Sequence, residues 1–129
     1  MNAVQHLTDL VGRVLVSIIF LVSGVSKITG YTGIQAYMES AGVPGILLPL
    51  VIALEILGAV ALSIGFQTRV VAAALASFTL VAGVAFHTNF GDQMQAIMFM
   101  KNLAIAGGLL FLVNRGAGSW SLDALAARG

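Results

Sequence analysis

The sequence lacks cysteine and has few charged residues, and each shortage excludes a class of protein. None of the 129 residues is cysteine, which excludes disulfides, thiol redox chemistry and thiolate metal sites. Charged residues make up 9% of the chain, whereas soluble domains contain about 25%. The six Lys and Arg residues form no cluster that could follow a phosphate backbone, so nucleic-acid binding is not expected.

Long apolar stretches occupy most of the chain. Hydrophobic residues account for 59% of it, and the mean hydropathy is +1.02. A helix that spans a bilayer needs about 20 mostly apolar residues, and four stretches qualify, at 10–28, 46–66, 70–86 and 96–113. The links after the second and third stretches are short, so successive helices should be antiparallel neighbours. The sequence therefore predicts an all-α, integral membrane up-down four-helix bundle that forms one domain over residues 1–129.

The ends of the first stretch raise two further expectations. Lys27 and a turn follow the stretch, and three more spans come after it, so it is interpreted as a span rather than a cleaved signal peptide.

In the first link, between the first and second stretches, apolar residues recur at helical spacing, which predicts a short amphipathic helix at the membrane interface. An ordered loop packed over the mouth of the bundle is the alternative. The residues at this spacing are Ile34, Tyr37, Met38 and Ala41.

The distribution of basic residues predicts an orientation. Four spans place both termini on the same side of the lipid bilayer, and the arginines collect on that side. The positive-inside rule therefore places both termini in the cytoplasm and the first and third links outside a bacterial inner membrane. The basic residues are Arg13, Arg69, Arg115 and Arg128 on the side of the termini, and Lys27 and Lys101 on the other.

Nearly every apolar stretch carries an ionisable residue where hydrocarbon is expected. A charge at the centre of a span costs about 2.5–3.5 kcal/mol on insertion scales, so it is normally paired, snorkelling or facing a wet cavity. Glu55 and Lys101 lie on different spans at depths about 6 Å apart, which would allow them to pair. Arg13 and Lys27 lie near the two ends of the first span and can snorkel to the interfaces.

These residues lead to two interpretations. In the first, the charges only fix how the helices pack. In the second, one polar residue from each span meets in the outer half of the bundle and forms a small pocket for a quinone head group, an acidic substrate or protons. Lysine, histidine and asparagine can donate hydrogen bonds to quinone carbonyls, and Glu55 or His87 can accept a proton. The pocket candidates are Lys27, Glu55, His87, Lys101 and Asn102, while Arg13 lies alone near the inner face.

No metal or haem site is expected. His6 and His87 fall on opposite sides of the predicted membrane, so they cannot both bind one haem iron. His87 and Asp92, in the third link, make a weak pair of metal ligands. The methionines near the start of the fourth span are more typical of helix packing than of copper binding.

Five motifs follow one another over nearly the whole chain: Gly12-Arg13 with 18–27, 42–44, 54–58, 65–69 and 99–108. In combination they resemble the DoxX family of small bacterial membrane proteins. The resemblance implies a four-span inner-membrane fold and a link to quinone-coupled thiosulfate oxidation and membrane-associated oxidoreductase complexes. Only Arg13, Lys27, Glu55 and Lys101 match the polar pattern of the family, and no catalytic residue is carried over.

The function expected from these observations is that of a quinone-facing or partner-docking subunit of a membrane redox system, linked to thiosulfate or to oxidative stress. Without a cysteine or a cofactor motif, an accessory subunit that works with a membrane or periplasmic oxidoreductase fits better than a stand-alone enzyme. The candidate cofactor is a quinone. The alternatives are a structural or assembly protein without a ligand and a small proton-coupled transporter. Gly107 and Gly108 leave room for a close helix approach, within one chain or in a homo-oligomer.

Overall fold

The structure is a computed structural model that describes residues 2–128, and the part described consists of helices and their connecting segments, without strands. Four of the helices, α1, α3, α4 and α5, are long and apolar enough to cross a membrane. The predicted all-α fold with four spanning helices is therefore confirmed. The helices are α1 (Ala3–Thr29), α2 (Tyr31–Ser40), α3 (Leu48–Ile64), α4 (Thr68–Phe86), α5 (Gln93–Arg115) and α6 (Leu122–Arg128), and a 3-10 turn at Gly45–Leu47 leads into α3.

The spanning helices form two closely packed pairs. α1 packs along α3, and α4 packs along α5, while α3 and α4 join the pairs and α1 meets α5 over a short stretch only. The core between the pairs contains large and small side chains in alternation, namely Phe20, Ala59, Leu62, Ala72, Leu75, Ala76 and Leu109. Below, the termini end is the end of the bundle at which α1 begins, and the link end is the opposite end, which carries α2 and the 87–92 link.

Glycine allows the closest approach between α1 and α3. A Cβ atom at Gly24 would lie 2.6 Å from Cγ1 of Ile56 and 3.3 Å from Cβ of Glu55. Lipid tails are as apolar as leucine, so membrane helices associate by close packing, for which small residues are suited. Gly24 thus brings α1 against the segment of α3 that carries Glu55.

We expect Gly24→Val to push α1 away from α3 and lower the free energy of unfolding by about 1–3 kcal/mol, the usual cost of overpacking. Gly12→Val is the matched control, because it lies on the same helix and a Cβ there meets nothing within 4 Å. Thermal unfolding in detergent micelles measures both. Equal losses of stability in the two variants would show that the contact at Gly24 is not tight.

The first link forms the predicted helix, α2, and this helix also packs over the mouth of the bundle. Met38 is 5% exposed. The ring of Tyr37 stacks on Phe86 with centroids 5.5 Å apart, and the Tyr37 hydroxyl donates to the Phe86 carbonyl over 3.4 Å. The segment is thus a helix rather than a loop, and it covers the link end, which was expected only of the loop.

The C-terminal segment was not predicted to be structured, but residues 116–128 fold back onto the termini end. The Asp123 carboxylate accepts hydrogen bonds from the backbone N–H groups of Gln67 (2.7 Å) and Thr68 (2.9 Å) at the start of α4. The Asp123 N–H donates to the Gly65 carbonyl over 2.8 Å. Gly65 has φ 72° and lies so close to Ser121 that a Cβ would be 2.3 Å from the Cβ of Ser121. Asp123 therefore caps α4 from the other end of the chain.

The attachment of α6 should depend on pH. Partial burial acts to raise the pKa of Asp123, but hydrogen bonds from Thr68 and Gln67 and the charge of Arg13 outweigh it and hold the pKa below its ordinary value of 3.8. A carboxyl group with a lowered folded-state pKa stabilises the fold above the unfolded-state pKa and loses this effect as pH falls through the folded-state pKa. We therefore expect α6 to loosen below about pH 4.

A spin label at position 126 tests this expectation, since a single Ala126→Cys supplies the only thiol in the chain. The mobility of the label should increase below about pH 4. Asp123→Asn keeps only one acceptor oxygen and cannot titrate. The label should therefore be more mobile than in the parent protein at pH 7, and its mobility should not depend on pH. A label whose mobility in the parent protein stays unchanged even where acid has protonated Asp123 would contradict the role given to this carboxylate.

Candidate functional site

A cavity of about 370 Å³ lies inside the bundle near the link end. Its volume falls in the range of about 300–1,000 Å³ that is usual for small-molecule sites. The wall is mostly apolar, with polar groups from α1, α2, α3, α4 and α5. The polar lining residues are Ser23, Ser26, Lys27, Tyr37, Glu55, Thr79, His87 and Asn102, and the apolar ones include Ile19, Phe20, Phe78, Phe86 and Ile105.

An ion pair between α1 and α3 lines the cavity. The Lys27 Nζ atom lies 2.7 Å from the Glu55 Oε1 atom, and the two side chains are 22% and 3% exposed. Lys27 also donates to the Ser23 hydroxyl one turn earlier on α1. An ammonium group has three N–H donors, so one remains for a molecule in the cavity. The pair places opposite charges together where either charge alone would be costly.

The pairing of Lys27 with Glu55 corrects two expectations. Lys27 does not snorkel toward the interface but turns inward, because Gly24 places this turn of α1 against Glu55. The expected pairing of Glu55 with Lys101 is wrong: Lys101 is exposed on α5, does not line the cavity, and has no ion-pair partner within 4.0 Å in the part of the chain described.

Two further polar candidates, His87 and Asn102, line the cavity with the ion pair. His87 follows the last residue of α4, and its Nδ1 atom is buried without a hydrogen-bond partner among residues 2–128. The Asn102 side chain donates to the Thr79 carbonyl over 3.1 Å and so joins α5 to α4. A buried nitrogen without a partner is costly in an empty site, and a ligand in the cavity could supply the missing hydrogen bond.

Arg13 is remote from the cavity and is not alone, contrary to expectation. Its side chain is completely buried. The guanidinium donates to the carbonyls of Leu62 (3.1 Å) and Ser63 (3.0 Å) at the end of α3, and to the carbonyl of Trp120. A positive charge is favoured at the C-terminal end of a helix, where carbonyls lack partners. Arg13 therefore joins α1, α3 and the C-terminal segment at the termini end.

A second ion pair ties α1 to α5 at the same end. The Arg115 Nε atom lies 2.9 Å from the Asp9 Oδ1 atom. Neither residue was singled out as part of a contact from the sequence, since they are 106 positions apart. No group of three or more His, Cys, Asp or Glu residues that could hold a metal ion occurs within residues 2–128.

Comparison with known proteins gives a consistent family. The model of the DoxX family matches residues 8–88, a range that includes Arg13, Lys27, Glu55 and His87. The chain is 48% identical to the inner membrane protein YqjF of Escherichia coli over 97% of its length and 96% of the relative. It is 36% identical to the inner membrane protein YphA of the same organism, over 95% and 92% of the two chains.

A more distant relative carries a functional name. The chain is 33% identical, over 65% of its length and 62% of the relative, to a Bacillus subtilis protein provisionally named oxidoreductase CatD. No solved structure matches the chain. The Lys101-Asn102 motif lies beyond the family match, but within the extent of the similarity to YqjF.

Proposed function

Because the chain belongs to the DoxX family, we propose that it is an inner-membrane protein that serves a membrane redox system as a quinone-facing or partner-docking subunit. The observation that carries the proposal is the cavity, in which the Lys27–Glu55 pair and His87 are among the polar groups of a mostly apolar wall. The E. coli relatives support the inner-membrane location, and the name of the B. subtilis relative supports a redox role. The redox system would be linked to thiosulfate or to oxidative stress.

The chemistry of the wall suits a quinone head group. Quinone carbonyls accept hydrogen bonds, which the remaining N–H of Lys27 and a protonated His87 nitrogen can donate. The aromatic rings of Phe78 and Phe86 offer surfaces on which a flat ring can pack. A bound quinone would carry electrons and protons between membrane proteins, and because this chain has no thiol of its own, the electrons would come from a partner oxidoreductase.

The proposed orientation follows from charge. Arg13, Arg69 and Arg115 lie at the termini end, as does Arg128 on α6, whereas the link end carries Lys27 and Lys101. The positive-inside rule then favours cytoplasmic termini, so the cavity would lie in the periplasmic half of the bilayer.

A structural or assembly role without a ligand is the second candidate. It is favoured by the fact that both buried cations make contacts between helices, Lys27 with Glu55 and Arg13 with the end of α3.

The geometry gives less support to a transporter, which needs a path across the whole bundle. Between the cavity and the termini end, the side chains of Phe20, Leu62, Leu75 and Leu109 fill the bundle.

Native mass spectrometry of the protein, purified in mild detergent from a quinone-producing bacterium, distinguishes the two candidates. We expect a co-purifying quinone in the parent protein and its loss in Ala82→Phe, which fills the cavity from α4. Ala73→Phe is the matched control, because Ala73 lies on the same helix and is exposed outside the cavity. A parent protein without a quinone, together with a more stable Ala82→Phe variant, would favour the structural role.

A further inference from the structure

We propose that the ligand enters the cavity sideways from the bilayer, through the gap between α1 and α5 flanked by Ile19 and Ile105, which we call the α1–α5 cleft. This inference rests on the proposed function and narrows the class of ligand. The cavity would accept an amphiphile with a polar ring and a long apolar tail, whose head lies at the ion pair and whose tail leaves through the cleft.

The packing of the helices leaves this side of the bundle open. α1 lies along α3 and α5 lies along α4, but α1 and α5 meet over a short stretch only. Their polar contact, the Asp9–Arg115 ion pair, is at the termini end. Toward the link end the two helices border the cavity instead, α1 with Ile19 and Ser23 and α5 with Ile105.

The depth of the lining residues shows that the cleft faces hydrocarbon. At about 1.5 Å per residue, Ile19 lies about 15 Å from the end of α1 at Thr29, and Ile105 lies about 18 Å from the start of α5 at Gln93. The headgroup region on each side of a bilayer is only about 5–7 Å thick. Ile19 is nevertheless 45% exposed, so this wall of the cavity borders the level of the lipid tails.

The route along the bundle axis is covered. α2 lies over the link end, where Met38 is buried and Tyr37 packs on Phe86 while its hydroxyl bonds the Phe86 carbonyl. A water-soluble ligand would have to displace this helix, whereas a lipid-soluble ligand would only have to pass between side chains at the cleft.

Polarity along the cavity also matches an amphiphile. Lys27 lies about 3 Å from the end of α1, and Glu55 lies about 10 Å from the start of α3, so the charges are closer to the link end than the cleft is. At the depth of Glu55 and slightly beyond it, the other polar groups bond one another: Asn102 donates to the Thr79 carbonyl, and the Thr79 hydroxyl donates to the Leu75 carbonyl. The deep part of the wall therefore offers an apolar surface to a tail.

Binding of two quinones to variants in lipid nanodiscs tests the inference. The probes are a tail-less benzoquinone and the same ring with a long isoprenoid tail. Ile19→Trp should narrow the cleft and weaken retention of the long-tailed probe about tenfold or more, with the tail-less probe much less affected. Ile18→Trp is the matched control, because Ile18 is the neighbouring residue, is 48% exposed and does not line the cavity. Ile105→Trp repeats the test from α5 if Ile19→Trp fails to fold.

The outcomes separate this inference from the proposed function. If neither quinone binds the parent protein, the proposed function fails and the cleft has no role. If the tail-less probe binds but the long-tailed probe does not, or if Ile19→Trp and Ile105→Trp weaken both probes equally, the site stands and access through the cleft is overturned. Selective loss of the long-tailed probe, with Ile18→Trp unchanged, supports access from the bilayer.

Discussion

Lys27→Met is expected to destabilise the protein more than the loss of any other charge that lines the cavity. Removing one partner of a buried ion pair leaves the other charge without compensation, which costs about 3–5 kcal/mol. Glu55 would be left in this state, since its side chain is 3% exposed and Lys27 is its ion-pair partner. Glu55→Gln also leaves a lone charge, on Lys27, but it should cost less, because the Lys27 side chain is 22% exposed and keeps its bond to Ser23.

Thermal unfolding in detergent or nanodiscs measures this effect, and two further variants test its cause. Lys101→Met is the matched control, since it also removes one lysine from a spanning helix but acts at an exposed position without a carboxylate partner in the part of the chain described. The double variant Lys27→Met with Glu55→Met should recover much of the stability, because it leaves no lone charge. If Lys101→Met costs as much as Lys27→Met, or the double variant recovers nothing, the ion pair does not act as described.

Arg13→Met is the second change with a large expected effect. It would remove the guanidinium donor from the carbonyls of Leu62, Ser63 and Trp120. Leu62 keeps the N–H of Gly65, but the other two carbonyls lose this donor, and each buried acceptor without a partner costs about 1–3 kcal/mol. Arg13→Lys should restore little, since a single ammonium lacks the planar fork of donors that bonds three carbonyls at once. Because Trp120 belongs to the C-terminal segment, we expect this segment to detach from the bundle in Arg13→Met, in addition to the loss of stability.

The spin label at position 126 and the thermal midpoint together measure the role of Arg13. We expect a mobile label and a lower midpoint in Arg13→Met, and neither change in Arg128→Gln, which removes an exposed arginine from α6. An immobile label in Arg13→Met would mean that the Asp123 cap alone holds α6, and that Arg13 does not anchor the segment.

The fold was largely predictable because hydropathy and length limit the choices in a membrane. A long apolar stretch with few charges becomes a spanning helix whatever its neighbours do, so the four spans and α2 follow from local sequence. The helix bounds were less predictable: α1 begins at Ala3 rather than near residue 10, because Asn2 and Gln5 form a capping box before the apolar stretch.

The site was predictable in depth but not in direction. Depth along a helix follows from residue number, and it placed Lys27, Glu55, His87 and Lys101 in the outer half of the bundle. Direction depends on how each helix is rotated, and one residue changes it by about 100°. This is why Asn102 faces the cavity while its neighbour Lys101 is exposed on the outside of α5. The close contact at Gly24 selects Lys27 as the partner of Glu55. This contact depends on how α1 packs against α3, which the local sequence does not show.

The C-terminal segment could not be predicted for a related reason. It has no apolar periodicity of its own, and its order comes from groups far away in the sequence, namely Arg13, Gly65 and the start of α4. Asp123 is a residue type that can cap a helix, but the spacing of the sequence does not show that it caps α4 at Thr68.

The measurement that tests the central claim most directly is the thermal midpoint of the protein at increasing concentrations of a short-tailed benzoquinone. A ligand that binds only the folded state adds about 2.7 kcal/mol of stability at a hundred times its Kd. The midpoint of the parent protein and of Ala73→Phe should therefore rise with concentration, while that of Ala82→Phe, with its cavity filled, should stay constant. A midpoint that does not rise in the parent protein, or that rises equally in Ala82→Phe, would contradict a ligand site at the Lys27–Glu55 pair.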